Sequence, residues 1–147
     1  MKISYIENNG SPVEKARLNY ILHNTYPSGS ITQELFANQC EDGGWPAKWS
    51  HGMSSLDSTC FHLAQAEQLG LTASEKPIRK ALRFLVCHQS LDGSWDKDAS
   101  ISKYAPGRLK PGALSTRLYL TANCGFWMAY YSGRDNSVPR AMGFLMR

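Results

Sequence analysis

The sequence predicts an all-α fold built from repeated helical hairpins, and three observations carry that expectation. Two segments, Gln39-Cys-Glu-Asp-Gly-Gly-Trp45 and Gln89-Ser-Leu-Asp-Gly-Ser-Trp95, share Gln, Asp, Gly and Trp at the same offsets, fifty positions apart. Self-similarity at such a period is the mark of a repeat architecture. A flanking stretch recurs as well: Ala81, Phe84 and Leu85 of residues 78–86 return as Ala141, Phe144 and Leu145 of residues 138–146. In that register a third Gln would fall two positions beyond Arg147. Finally, no stretch shows the strict apolar–polar alternation of a half-buried strand.

The helices fall between these markers. Ser11, Pro12 and Glu14 make a helix start, and the helix runs to about Asn24. Tyr26-Pro-Ser-Gly-Ser30 breaks the chain, and a shorter helix carries Ile31 to Gln39. After the first Gly-Trp loop, Leu56, Cys60, Leu63 and Ala64 open a third helix that ends near Gly70. Thr72 and Glu75 have the spacing of a capping box ahead of the fourth, and Pro77 suits a helical first turn. There Ile78, Ala81, Leu82, Leu85 and Val86 follow the i, i+3, i+4, i+7, i+8 rule, with Arg79, Lys80 and Arg83 off the stripe. Beyond the second Gly-Trp loop, Pro106 to Gly112 marks another loop, and Leu114 to about Ser132 forms the most apolar helix. Gly133 to Ser137 then turns the chain into a last helix over about 138 to 147. Six helices result, paired in order as three antiparallel hairpins of a single domain spanning 1–147.

Composition narrows the function classes. Hydrophobic residues at 42% and charged residues at 19% describe a globular chain, and aromatics reach 11% with four Trp and seven Tyr. The net charge of +4 is spread along the chain rather than gathered in a stripe, which argues against nucleic acid as a partner. There is no basic start followed by an apolar stretch, so no signal peptide is expected, and no apolar run approaches the ~20 residues that span a bilayer. Cys40, Cys60, Cys87 and Cys124 lack CxxC spacing, which predicts reduced thiols in a cytoplasmic protein rather than a zinc ribbon or a disulfide framework. No cofactor and no metal is implied.

Each Gln–Gly–Trp loop has a structural rationale. Gln39 and Gln89 sit near helix ends, where backbone carbonyls lack intrahelical partners and a side-chain amide can donate to them. The Asp-Gly step, with Gly43 and Gly93, supplies a tight turn because glycine accepts positive φ. Trp45 and Trp95, two positions beyond, fold back and bury a large ring against the helix end.

These loops resemble the QW motif of the squalene–hopene cyclase and protein-prenyltransferase family. The likeness spans about residues 28 to 147, with two copies inside a consistent helical repeat. It implies an α/α toroid-like arc of about three hairpins, roughly half of a full toroid. It also implies a terpenoid-cyclase-like protein that binds a polyprenyl or triterpene-type substrate, an isoprenoid small molecule, with proton-initiated cyclisation as its chemistry and peripheral membrane contact. An arc with open flanks calls for a homodimer or a partner chain that completes the toroid. The alternative is a non-catalytic helical-repeat interaction module, or one subunit of a split cyclase or prenyltransferase.

In class II cyclases of that family the middle Asp of Asp-x-Asp-Asp-Thr protonates the substrate. The matching stretch is Ser55-Leu-Asp-Ser-Thr59, which puts Asp57 at the proton donor's position and replaces both acidic neighbours by Ser55 and Ser58. The same spacing also reads as an N-capping Asp57 or Ser58 that merely begins a helix. Asp57, Cys60 and His62 carry the atoms of a prenyltransferase zinc site, yet on a helix His62 points away from the face the other two share. Phe126, Trp127, Tyr130 and Tyr131 form the densest aromatic cluster. In a cyclase such rings line the cavity and bind substrate, and plain helix packing produces the same cluster. His51 reads as a solvated loop residue, and Asp42 and Asp92 as turn residues.

Overall fold

The clearest start signal in the sequence forms the most complete cap. Helix α2 (Pro12–His23) begins on a reciprocal capping box: the Ser11 hydroxyl accepts from the Glu14 amide at 3.2 Å, and the Glu14 carboxylate accepts from the Ser11 amide at 2.8 Å. It ends on Asn24 in the left-handed region, φ 53°, whose amide reaches back to the Tyr20 carbonyl.

The structure is a computed structural model that describes residues 3–101, 103–104, 110–133 and 135–147. Around α2 stand α1 (Ile3–Asn9), α3 (Gly29–Phe36), α4 (Leu56–Glu67), α5 (Lys76–Cys87), α6 (Leu114–Ser132) and α7 (Ser137–Leu145), with a short 3₁₀ turn at Ala99–Ile101. The protein is thus predominantly helical, and all six expected helices are present. The loop expected from Pro106 to Gly112 falls partly outside the described residues, as does Arg134 of the expected Gly133–Ser137 turn.

Four local expectations are corrected. Helix α1 was not anticipated, because it buries no residue and so leaves no amphipathic trace in the sequence. Helix α3 stops at Phe36 rather than Gln39, since Asn38 takes φ 62° and frees Gln39 for the loop that follows. The Thr72–Glu75 capping box does not form: the Thr72 hydroxyl pairs with Ser74 at 2.8 Å, and Glu75 occupies the N-cap position of α5 without a side-chain bond. On α5 itself Phe84 is buried and Val86 is exposed, so the core face is rotated toward Phe84. The strand pair β1 (Trp45–Pro46) and β2 (Ser54–Ser55) is antiparallel, with Trp45 opposite Ser55. Two residues per strand are too few for an alternating pattern to show.

Packing follows the expected pairing. Helix α2 lies against α3, α4 against α5, and α6 against α7, while α4 also meets α3 and α6, and α6 meets α5. The core runs through these contacts: Leu63 and Ala66 of α4, Ile78 and Leu85 of α5, Leu120, Cys124 and Met128 of α6, and Ala141 of α7 are all buried. Trp45 and Trp95 belong to the same core although both sit in loops. No described helix is long and apolar enough to cross a membrane.

Candidate functional site

The two Gln–Gly–Trp loops are built from the same bonds. Gln39 Nε2 donates to the Gly43 carbonyl at 2.9 Å and to the Pro77 carbonyl at 2.8 Å. Gln89 Nε2 donates to the Gly93 carbonyl at 2.9 Å and to the Ser137 carbonyl at 2.9 Å. Pro77 and Ser137 hold matching places in the first turns of α5 and α7. Each amide therefore fastens its loop to the start of the following helix, not to the end of its own, which refines the role expected from sequence. Asp42 Oδ1 accepts from the Gly44 amide and Asp92 Oδ1 from the Ser94 amide, so both are turn residues.

Gly43 (φ 95°) and Gly93 (φ 91°) are required on two grounds. Positive φ favours glycine, and a Cβ at either would strike a backbone carbonyl, that of Lys80 in α5 or Arg140 in α7. The tryptophans complete the lock. The Trp45 indole donates to the Ala37 carbonyl at 3.2 Å and the Trp95 indole to the Leu85 carbonyl at 2.7 Å. Their backbone amides donate to Thr59 Oγ1 at 3.1 Å and Thr121 Oγ1 at 3.0 Å, tying the loops to α4 and α6. The two threonines were missed in the sequence. Thr59 stands 14 residues after its tryptophan and Thr121 stands 26 after its own, so the longer second loop hides their equivalence.

Asp57 lies in the first turn of α4, and its Oδ2 is ion-paired with Lys97 Nζ. The Lys97 side chain is 1% exposed and the Asp57 side chain 21%. Trp49 lies over the same ammonium, 4.8 Å from ring centroid to Nζ. Asp57 Oδ1 is buried and has no hydrogen-bond partner. Ser55 and Ser58, which flank it, do not bond to it: Ser58 Oγ donates to the Pro46 carbonyl at 2.9 Å, and Ser55 Oγ is buried without a partner. Tyr119 of α6 is close enough that the Asp57 charge, after burial itself, pushes its phenol above the usual range. Lys97, Trp49 and Tyr119 were not singled out in the sequence, because the ion pair joins residues 40 positions apart across an irregular loop.

Cys60 does not join Asp57 in a metal site. Its Sγ faces Cys124 Sγ at 3.7 Å between α4 and α6, and burial raises the Cys124 thiol well above its ordinary value. His62 stacks on Trp45 with ring centroids 4.6 Å apart, and its Nδ1 meets the Ser58 carbonyl at 2.8 Å. Burial lowers its pKa and favours the neutral ring. Among the described residues no group of three or more His, Cys, Asp or Glu side chains is placed to hold a metal ion. His51 is exposed at φ 51°, with its ring against Tyr104.

The four expected aromatics do form one cluster on α6, with neighbouring centroids 4.8 to 6.3 Å apart. They divide by burial. Trp127 is buried and donates to Asn123 Oδ1, and Tyr131 is half-buried and donates to the Leu63 carbonyl at 3.1 Å. Phe126 and Tyr130 are 57% and 55% exposed. No family model and no solved structure matches the chain. The repeat is therefore defined by the chain's likeness to itself, bond for bond at the two loops.

Proposed function

We propose that the chain is a terpenoid-cyclase-like repeat domain, an arc of an α/α toroid, that binds a polyprenyl-type chain on the open face of α6 without chemistry at Asp57. The observation that carries this reading is that face. Leu114, Leu118, Ala122, Phe126 and Tyr130 recur at helical spacing along α6 and are all exposed. The exposed half of α6 thus leaves Leu114, Leu118, Phe126 and Tyr130 in water, and covering apolar surface gains about 25 cal/mol per Å². Buried Trp127 and half-buried Tyr131 sit beside it as a rigid aromatic support. Asp57 is engaged otherwise. With the Lys97 ammonium on its carboxylate it acts as a counter-ion holding the loop after Trp95. This favours a binding domain over a cyclase, and a cytoplasmic location goes with it. The buried Asp57 Oδ1, which accepts no hydrogen bond from the described residues, speaks for the catalytic reading.

Titration with farnesol, followed through tryptophan fluorescence, tests the proposal. Saturable quenching is expected, and Phe126→Asp should weaken it at least about tenfold, the equivalent of ~1.4 kcal/mol. An unsaturable signal, or equal affinity in the variant, contradicts it. Sedimentation of the same samples tests the competing occupant. A dimer dispersed by Phe126→Asp, with no farnesol bound, would assign the face to a second copy that closes the ring.

A further inference from the structure

Away from both loops, the chain ends of three helices converge. Tyr20 lies in the last turn of α2, Glu67 ends α4, and Tyr130 and Tyr131 lie in the last turn of α6. Together with Tyr26 and the turn over residues 70–74, they line an open cavity of about 560 Å³. The rings are set at steep angles to one another: Tyr20 and Tyr26 have centroids 5.4 Å apart at 60°, and Tyr130 and Tyr131 have centroids 4.9 Å apart at 80°. Two of them are held in place. Tyr131 is anchored through its hydroxyl to the Leu63 carbonyl, and the Tyr20 ring lies so close on Gly70 that a Cβ there would collide with it. Burial, then the Tyr26 charge and hydrogen bond, then Tyr130 and Glu67 raise the Tyr20 phenol above its ordinary range.

The charge in that space is unbalanced. Glu67 has no lysine or arginine partner among the described residues, and no described lysine or arginine lines the cavity. Helix C-termini add partial negative charge, and the last turns of α2, α4 and α6 contribute to the lining. The Thr72 and Ser74 hydroxyls are bonded to each other, so the tyrosines and the Glu67 carboxylate dominate the lining. Tyrosine rings and a carboxylate without a basic partner suit a bulky organic cation.

We infer that this cavity binds an organic cation of the quaternary or methylated ammonium class, seated against the faces of Tyr20, Tyr26 and Tyr130 with Glu67 as its counter-charge. The site shares Tyr130 with the face of α6 assigned above, but Tyr26 and Glu67 lie outside that face, so substitutions there test this site apart from the polyprenyl reading.

Calorimetric titration with choline, set against its neutral carbon isostere 3,3-dimethylbutan-1-ol, tests the inference. Choline is expected to bind at least about tenfold more tightly than the isostere, the scale of a partly desolvated cation–π contact. Glu67→Gln and Tyr26→Ala, checked for intact helix content by circular dichroism, should each weaken choline several-fold. Because Tyr26 is 65% exposed, its replacement leaves the core untouched. Equal affinity for the isostere, an unchanged choline affinity in both variants, or no choline binding at all would overturn the assignment. Farnesol binding in the Glu67→Gln variant is expected to match the wild type, so the two sites fail or survive separately.

Discussion

Trp95→Ala is expected to lower the unfolding free energy by about 3–5 kcal/mol, the range for truncating a large buried aromatic. The ring is fully buried, and its indole nitrogen donates to the Leu85 carbonyl at 2.7 Å, near the end of α5. Alanine would remove that bond and leave a cavity where the loop, α5 and α6 meet. A domain of this size is stable by only about 5–15 kcal/mol, so the loss is a large share of the total. Urea unfolding followed by circular dichroism reads it as a fall in midpoint. Trp95→Phe keeps most of the ring but not the donor; the Leu85 carbonyl still accepts from the His88 amide, so the expected cost is that of one hydrogen bond, about 0.5–1.5 kcal/mol. The phenylalanine variant keeps the test measurable if the alanine variant does not fold. An unchanged midpoint in either would mean that the tryptophan does not anchor the loop.

Lys97→Met is expected to cost about 3 kcal/mol, because it leaves the mostly buried Asp57 carboxylate without its ion-pair partner. It also takes the cation from Trp49. Adding Asp57→Asn should restore more than half of the loss, since the remaining group then carries no charge. The double-mutant cycle isolates the pair from the packing change of the single substitutions. Additive costs would mean that the two charges do not interact in solution.

How much of this could be read from the chain depended on distance along it. The helix positions were legible because α2, α4, α5 and α6 carry caps or apolar stripes, whereas α1 buries nothing and gave no sign. The locks were legible in part. Gln, Gly and Trp sit within seven residues of one another, so their repetition stood out. Their partners, Pro77, Ser137, Thr59 and Thr121, lie 14 to 48 residues away at unequal spacings. Asp57 was visible through the stretch around it, but its ion pair was not, because Lys97 lies 40 positions away in the longer loop of the second repeat. The aromatic cluster was visible as a run of residues. Its division into a buried pair of sides and an open stripe is set by how α6 packs on α4 and α7, which local sequence does not encode.

Hydrogen exchange of the indole protons by NMR tests the central claim most directly, because that claim is the equivalence of the two tryptophan locks. The Trp45 and Trp95 indoles should both exchange slowly, only through openings close to global unfolding, and denaturant should speed both in parallel. Trp49, whose indole has no protein hydrogen-bond partner among the described residues, should exchange fast. If either Trp45 or Trp95 exchanged as fast as Trp49, the loops would not be matched anchors and the repeat reading would fail.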